Sequence, residues 1–258
     1  MAKHHMQASP PAPDILIAYL LIANCYLSQA SPFLEQTSKM ARHITNKFDK
    51  KLLPTLPRAL FDGRIIVVLD EKTSEKAVDF LLSQDILGID TETRPCFTKG
   101  HHYKVALLQV STHDTCFLFR LNFIGSSPSL IRLLEDTHVP KIGLSLHDDF
   151  NSLSKRMTFK KGKFIDLQDV MGNLGIEDMS LAKLYANIFG HRISKREQLS
   201  NWESDVLSEK QKRYAATDAW ACIKLYEEYC RLMETHDYVL DIVTEQPTAV
   251  IEKEVINI

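Results

Sequence analysis

No excess of positive charge marks this chain: 31 Lys and Arg stand against 33 Asp and Glu, a formal net charge of −2. Proteins that coat nucleic acid or anionic membrane by bulk electrostatics carry strongly basic footprints, so that class is excluded and any nucleic-acid contact must be local. Cysteine pairs are missing too. Cys25, Cys96, Cys116, Cys222 and Cys230 are odd in number, scattered and free of any C-x-x-C. That pattern fits neither a disulfide framework nor a zinc site, and implies a reduced, cytoplasmic compartment. No apolar run reaches the roughly 20 residues that a bilayer-spanning helix needs, so no membrane partner is expected. There is no internal repeat, low-complexity tract or Walker A phosphate loop. What is present is a 258-residue chain that is 45% hydrophobic and 25% charged, enough for one α/β core or two small ones.

The run Ile15–Leu27, broken only by Asn24, admits three readings. It is the apolar core of an export signal cleaved after Ser28-Gln29-Ala30, or a buried docking helix, or part of an upstream extension preceding a native start at Met40. The third is preferred, because fold-like patterning becomes continuous only after Met40. Met40 to Arg58 is polar and basic, with Pro54 and Pro57 limiting regular structure, and reads as a lead-in. The expected organisation is therefore an extension over 1–59, a folded domain over 60–233 and a tail over 234–258.

Within 60–233 the pattern alternates. Arg64–Leu69, Ile86–Thr91, Lys104–Val110, Thr115–Arg120 and Pro140–Leu144 read as strands. Thr73 or Ser74 can cap a helix carrying Ala77, Phe80 and Leu81, and Ser127-Pro128 opens a helix to about Glu135. Further helices are expected from about Asp148, from Ser180 to a stop at Gly190, and from Ser208, where Ser208 and Gln211 match a capping box, to about Met233. Strands first, then strands alternating with helices, predict an α/β fold: a mixed sheet with helices on both faces.

Three acidic motifs stand out. Asp90-Thr91-Glu92 ends a strand, where i and i+2 side chains share a face, so two carboxylates crowd together and favour a hard divalent cation between them. Tyr214 and Asp218 stand four apart on a helix and project together, while Ala215, Ala216 and Ala219 let that helix approach a sheet closely. Gly143-Leu-Ser-Leu-His-Asp-Asp149 runs from a strand into a helix with acids at the junction. Each motif alone has a plainer explanation: a solvated strand end, a surface Asp beside a half-buried Tyr, a helix cap. Their joint occurrence, in this order, is what directs several carboxylates to one point.

That combination resembles the DEDDy-type 3′–5′ exonuclease superfamily, named for its four acids and the tyrosine of its last motif. The resemblance covers about two thirds of the chain and extends to Lys104-Val-Ala-Leu-Leu-Gln-Val-Ser111, Cys116-Phe-Leu-Phe119 and Leu199-Ser-Asn-Trp-Glu203. These segments look like the exonuclease domain of the Werner syndrome protein, and less closely like ribonuclease D. The resemblance implies a ribonuclease-H-like fold, with Asp90, Glu92, Asp149 and Asp218 as metal ligands and Tyr214 as the site tyrosine. It implies two divalent cations, Mg²⁺ or Mn²⁺, one held by Asp90, Glu92 and Asp218 and the other by Asp90 and Asp149. DNA or RNA 3′ ends would be the partners and nucleoside 5′-monophosphates the products. Asp149 is preferred over its neighbour Asp148 because it keeps the motif's spacing to Gly143 and Leu153, and His147 is taken as a bystander.

For substrate contacts, Lys155, Arg156, Lys160, Lys161 and Lys163 form a basic cluster after the third motif that is suited to phosphates or is simply a solvated face. Lys195-Arg196 and Asn201-Trp202 precede the Tyr214 helix; Trp202 either stacks on a base or packs inside. His101-His102 lacks further ligands at zinc-like spacing and is set aside. Two rivals remain, an RNA 3′-end trimming ribonuclease and a catalytically silent nucleic-acid-binding scaffold on the same fold.

Overall fold

The computed structural model describes residues 41–98, 100 and 102–244. The readings placed on Ile15–Leu27, on Ser28–Ala30 and on a start at Met40 lie outside the described residues.

The sheet begins with β2, Arg64–Val68, one strand after a short β1, Arg42–Thr45. Helix α1, Glu71–Leu81, is opened by Asp70, whose carboxylate accepts from the Thr73 amide. Thr73 and Ser74 therefore lie inside the helix: a charged acceptor three residues earlier outcompetes their hydroxyls, and Thr73 itself donates back to Asp70 at 2.8 Å. Strands β3 (Leu87–Thr93), β4 (Val105–Ser111) and β5 (Thr115–Arg120) form an antiparallel meander. A short α2, Leu121–Ile124, leads to α3, Pro128–Glu135, capped by Ser127 with Pro128 in its first turn. Then come β6 (Lys141–Gly143), α4 (Leu146–Ser154), β7 (Phe164–Asp166) and α5 (Leu167–Met171). Helix α6, Leu181–Phe189, ends at Gly190, whose φ of 64° is the left-handed stop that favours glycine. The 27-residue α7, Glu209–Thr235, starts with the Ser208/Gln211 capping box.

The six strands lie in the order β2-β5-β4-β3-β6-β7, with β2 parallel to β5 and β3, β6 and β7 mutually parallel. Residue alternation divides the interior in two. Ile89, Leu108, Val110, Phe117 and Phe119 pack with Val78, Leu81, Leu130, Leu133 and Leu153 from α1, α3 and α4. On the opposite face Leu107, Cys116 and Leu118 pack with Tyr214, Ala215 and Ala216 of α7 and with Trp202. The mixed sheet with helices on both faces is thus the architecture of this chain.

The lead-in is more regular than its prolines indicate. β1 pairs in parallel with β8, Tyr238–Asp241, and a 3-10 turn spans Lys50–Thr55, started by Asp49 accepting from the Lys51 amide. Pro54 is accommodated because so short a turn needs few backbone donors.

Candidate active site

Gly88, Asp90 and Glu92 alternate along one face of β3, the face covered by α7. A Cβ on Gly88 would sit 1.9 Å from the Ala219 carbonyl oxygen, so only glycine allows this approach of helix backbone to strand. The approach places Asp218, one residue before Ala219, against the strand. Carboxylate oxygens of Asp90, Glu92 and Asp218 lie within 4.8 Å of one another. Tyr214, one turn earlier on α7, comes within hydrogen-bonding reach of Asp218. The strand runs on through Glu92 to Thr93, so no turn begins at Thr91.

Asp149 arrives from β6 through a tight corner. Ser145, the residue before α4, adopts φ 62°, an uncommon left-handed conformation for a non-glycine. The corner is held by Asp166, whose carboxylate accepts from the Ser145 amide at 3.0 Å and the Leu146 amide at 2.7 Å. Asp148 and Asp149 both fall in the first turn of α4, not at its cap. Asp148 and His147 are exposed, whereas Asp149 is half-buried and accepts from the Thr91 hydroxyl. Of the two, Asp149 is the acid whose charge acts on Asp90 and Glu92.

Crowding and burial dominate the electrostatics. Burial, and next the charges of Asp149 and Asp218, push the Asp90 carboxyl well above the usual range. Burial with the neighbouring acids raises Glu92 to about 10. Asp218 rises to about 7 by burial, moderated by Tyr214 and by the charge of Lys195. Asp149 rises to about 6, moderated by Thr91. The Tyr214 phenol is driven upward, by burial first and then by Asp218 and Glu92. Among the described residues Asp218 Oδ1 is buried without a hydrogen-bond partner, a deficiency that costs about 1–3 kcal/mol. A divalent cation answers every one of these features, because it supplies the missing partner and cancels the repulsion. Asp90, Glu92 and Asp218 offer it converging oxygens; Asp149 stands beside them through Thr91.

Several supporting residues had no signal in the motif pattern. Gln109 lies directly opposite Asp90 on β4 and donates Nε2 to its Oδ2 at 3.4 Å; the antiparallel register that pairs them is invisible without the fold. Thr91, Asp166 and Gly88 act through contacts 20 to 131 residues away, removed from any periodicity in their own segments. Trp202 is 0% exposed, its ring 5.9 Å from that of Tyr214, so it supports the tyrosine from inside and presents no face to a base.

The basic cluster makes no direct contact with the acids among the described residues. Lys155 follows the last turn of α4, and the Lys160–Lys163 turn is tied to the end of α3: Lys160 N donates to Glu135 Oε1 at 2.7 Å and Gly162 N to Leu134 O at 3.0 Å. That turn immediately precedes β7 and borders the start of β6, since Lys141 N donates to Lys163 O at 3.0 Å. Asp149 follows the far end of β6 in the first turn of α4, and Lys155 caps the other end of that helix, roughly 9 Å further along its axis. Lys161 Nζ stands 4.6 Å over the ring of Phe150, next in sequence to Asp149, but among the described residues Lys155, Lys160 and Lys161 make no side-chain hydrogen bond or ion pair with the four acids. His102 is exposed.

Converging acids on a mixed sheet under a long helix form a centre chemically suited to divalent metal, and comparison with known proteins gives the family. The 3′–5′ exonuclease family model matches residues 65–233, and the chain belongs to that family. It is 30% identical over 190 residues, 70% of its length, to the mouse bifunctional 3′–5′ exonuclease/ATP-dependent helicase WRN. It is 32% identical over 170 residues to a 3′–5′ exonuclease of Arabidopsis thaliana, 64% of this chain. These matches cover only 14% and 57% of the two relatives' own lengths. Among solved structures, the Aedes aegypti Nibbler EXO domain superposes with a TM-score of 0.62 at 20% identity, covering 70% of this chain and 94% of that one. Escherichia coli RNase D superposes with a TM-score of 0.59 at 19% identity, covering 67% and 45%. The structural likenesses establish the shared ribonuclease-H-like fold. No helix among the described residues is long and apolar enough to cross a membrane.

Proposed function

We propose that this chain is a metal-dependent hydrolase that removes nucleotides one at a time from the 3′ ends of DNA or RNA, releasing nucleoside 5′-monophosphates in a cytoplasmic setting. The observation that carries this reading is the buried convergence of Asp90, Glu92 and Asp218 with Asp149 alongside. Four crowded carboxyls and an unpartnered Asp218 oxygen cost stability. A scaffold that only bound nucleic acid would have no use for that cost, which counts against the silent alternative.

Asp90, Glu92 and Asp218 would hold one divalent cation and Asp90 with Asp149 a second, Mg²⁺ or Mn²⁺. Bound in pairs, such ions supply Lewis-acid stabilisation of the attacking and leaving oxygens of an in-line phosphoryl displacement. The protein's own contributions follow from its geometry. Thr91 fixes Asp149 by donating its hydroxyl proton, and Gln109 fixes Asp90. Tyr214 keeps its proton at neutral pH, because burial and the nearby acids raise its phenol. It therefore serves as a hydrogen-bond donor that orients water or the scissile phosphate, and not as the general base. Trp202 beneath it restricts its ring.

The test is incubation with single- and double-stranded DNA and RNA labelled at the 5′ end, with Mg²⁺, Mn²⁺ or chelator. A ladder shortening from the 3′ end, metal-dependent and releasing 5′-monophosphates, is expected. Cleavage that persists in chelator, or internal nicking without a ladder, would refute the mechanism.

A further inference from the structure

The chemistry above leaves unused a groove of about 400 Å³ beside α6. One wall is the lead-in turn, with Lys50, Leu53 and Pro54; the other is the stretch after α6, with Ile193, Lys195 and Arg196. No carboxylate lines it. Of its other two cations, Lys183 is spent on Asp178 at 2.7 Å, and Arg192 Nε donates to the Leu56 carbonyl at 3.0 Å. Lys50, Lys195 and Arg196 are exposed and make no salt bridge among the described residues. In a chain of net charge −2, three such cations around one concavity form a local positive field suited to a polyanion.

The walls are built together. Arg192 N donates to Pro57 O at 2.9 Å and Ala59 N to Arg192 O at 2.9 Å, so the lead-in is strapped to the stretch that carries Lys195 and Arg196. The groove also adjoins the acids, for the charge of Lys195 acts on Asp218. Apolar Leu53 and Pro54 offer a surface on which sugars and bases of an unpaired strand can rest.

We propose that this groove grips the phosphodiester backbone of a single strand whose 3′ end lies at the acids, and that the lead-in, outside the residues 65–233 of the family match, supplies one of its walls through Lys50. The proposal rests on the 3′-end reading of the site for its direction only. Charge, concavity and built walls carry the contact itself, and the backbone phosphate is common to DNA and RNA.

Binding is measured by fluorescence anisotropy with a 5′-labelled single strand of about twelve nucleotides, as DNA and as RNA, in chelator and across a salt series. Lys50→Glu with Arg196→Glu is expected to weaken binding on the order of tenfold and to flatten the dependence of log affinity on log salt by about 1.4, about 0.7 for each lost phosphate contact. Lys72→Glu with Lys76→Glu, the same charge change on α1, is expected to leave affinity and slope unaltered. The charge-conserving pair Lys50→Arg with Arg196→Lys retains binding and separates loss of contact from loss of fold. Wild-type affinity and slope in the Lys50/Arg196 charge-reversal variant, or an equal loss in the α1 variant, would overturn the proposal. Because binding is read without metal, failure of the wild type to cleave would end the exonuclease reading while leaving this result to stand or fall alone.

Discussion

Two clusters of buried polar groups, one on each face of the central sheet, stand in contrast. Beneath α1 and α3, Ser74 and Ser129 are buried, yet each finds the other at 2.6 Å, and the surrounding side chains are aliphatic and aromatic. Beneath α7, Asp90, Glu92 and Asp218 are packed at the edge of an apolar cluster of Leu107, Cys116 and Leu118, and one Asp218 oxygen has no partner among the described residues. Hydrogen-bonded burial is what stability selects. Uncompensated burial on one face of an otherwise well-packed sheet is the mark of a group kept for chemistry.

The contrast can be broken from either side. Asp90→Ala is expected to lower kcat for metal-dependent 3′-end hydrolysis by at least about 10³-fold, about 4 kcal/mol of transition-state stabilisation, with folding retained in circular dichroism. Leu133→Ala, on the other face, is expected to cost about 3 kcal/mol of unfolding free energy in denaturant titration and to leave kcat unchanged at a temperature where the variant is folded. Tyr214→Phe keeps the ring against Trp202 but removes the donor; a loss of about 10- to 100-fold in kcat is expected, smaller than that of Asp90→Ala. Equal losses for Asp90→Ala and Tyr214→Phe would place the tyrosine in a more central role.

A smaller effect has a defined sign. Asp149 and Asp218 hold their protons to about 6 and about 7, well above the value near 4 of an unfolded carboxyl. In the metal-free protein the native state thus binds more protons than the unfolded chain. The stability these groups contribute is fully present below about pH 4 and is lost as pH rises through about 6 and then 7. Asp218→Asn removes one of these groups. The metal-free variant is expected to melt above the wild type at pH 8, by about 2–4 °C for each kcal/mol relieved, and to match it more closely near pH 5. A variant that melts lower at pH 8 would contradict the raised carboxyl.

Much of this organisation is written locally. The capping box at Ser208 and Gln211, the Ser127-Pro128 start and the Gly190 stop are decided within a few residues, and all three helix ends fall where those residues place them. The acids were legible for the same reason, since i, i+2 on a strand and i, i+4 on a helix are local spacings. What escaped is long-range or very short. β1 pairs with a strand almost two hundred residues later. β7, Phe164–Asp166, has three residues and no room for periodicity, yet it delivers Asp166 to the corner before α4. Trp202 and the lysines after α4 could not be assigned from composition, because which side of a packed structure a residue faces depends on neighbours that sequence does not adjoin.

The central claim is that the acids under α7 are assembled for divalent metal. Mn²⁺ titration of the wild type and of Asp218→Asn, followed by calorimetry near pH 6.5 in two buffers of different ionisation enthalpy, tests it most directly. Wild-type binding accompanied by proton release, together with its loss in a folded Asp218→Asn variant, is the predicted result. Binding without proton release, or equal binding by the variant, would contradict the account.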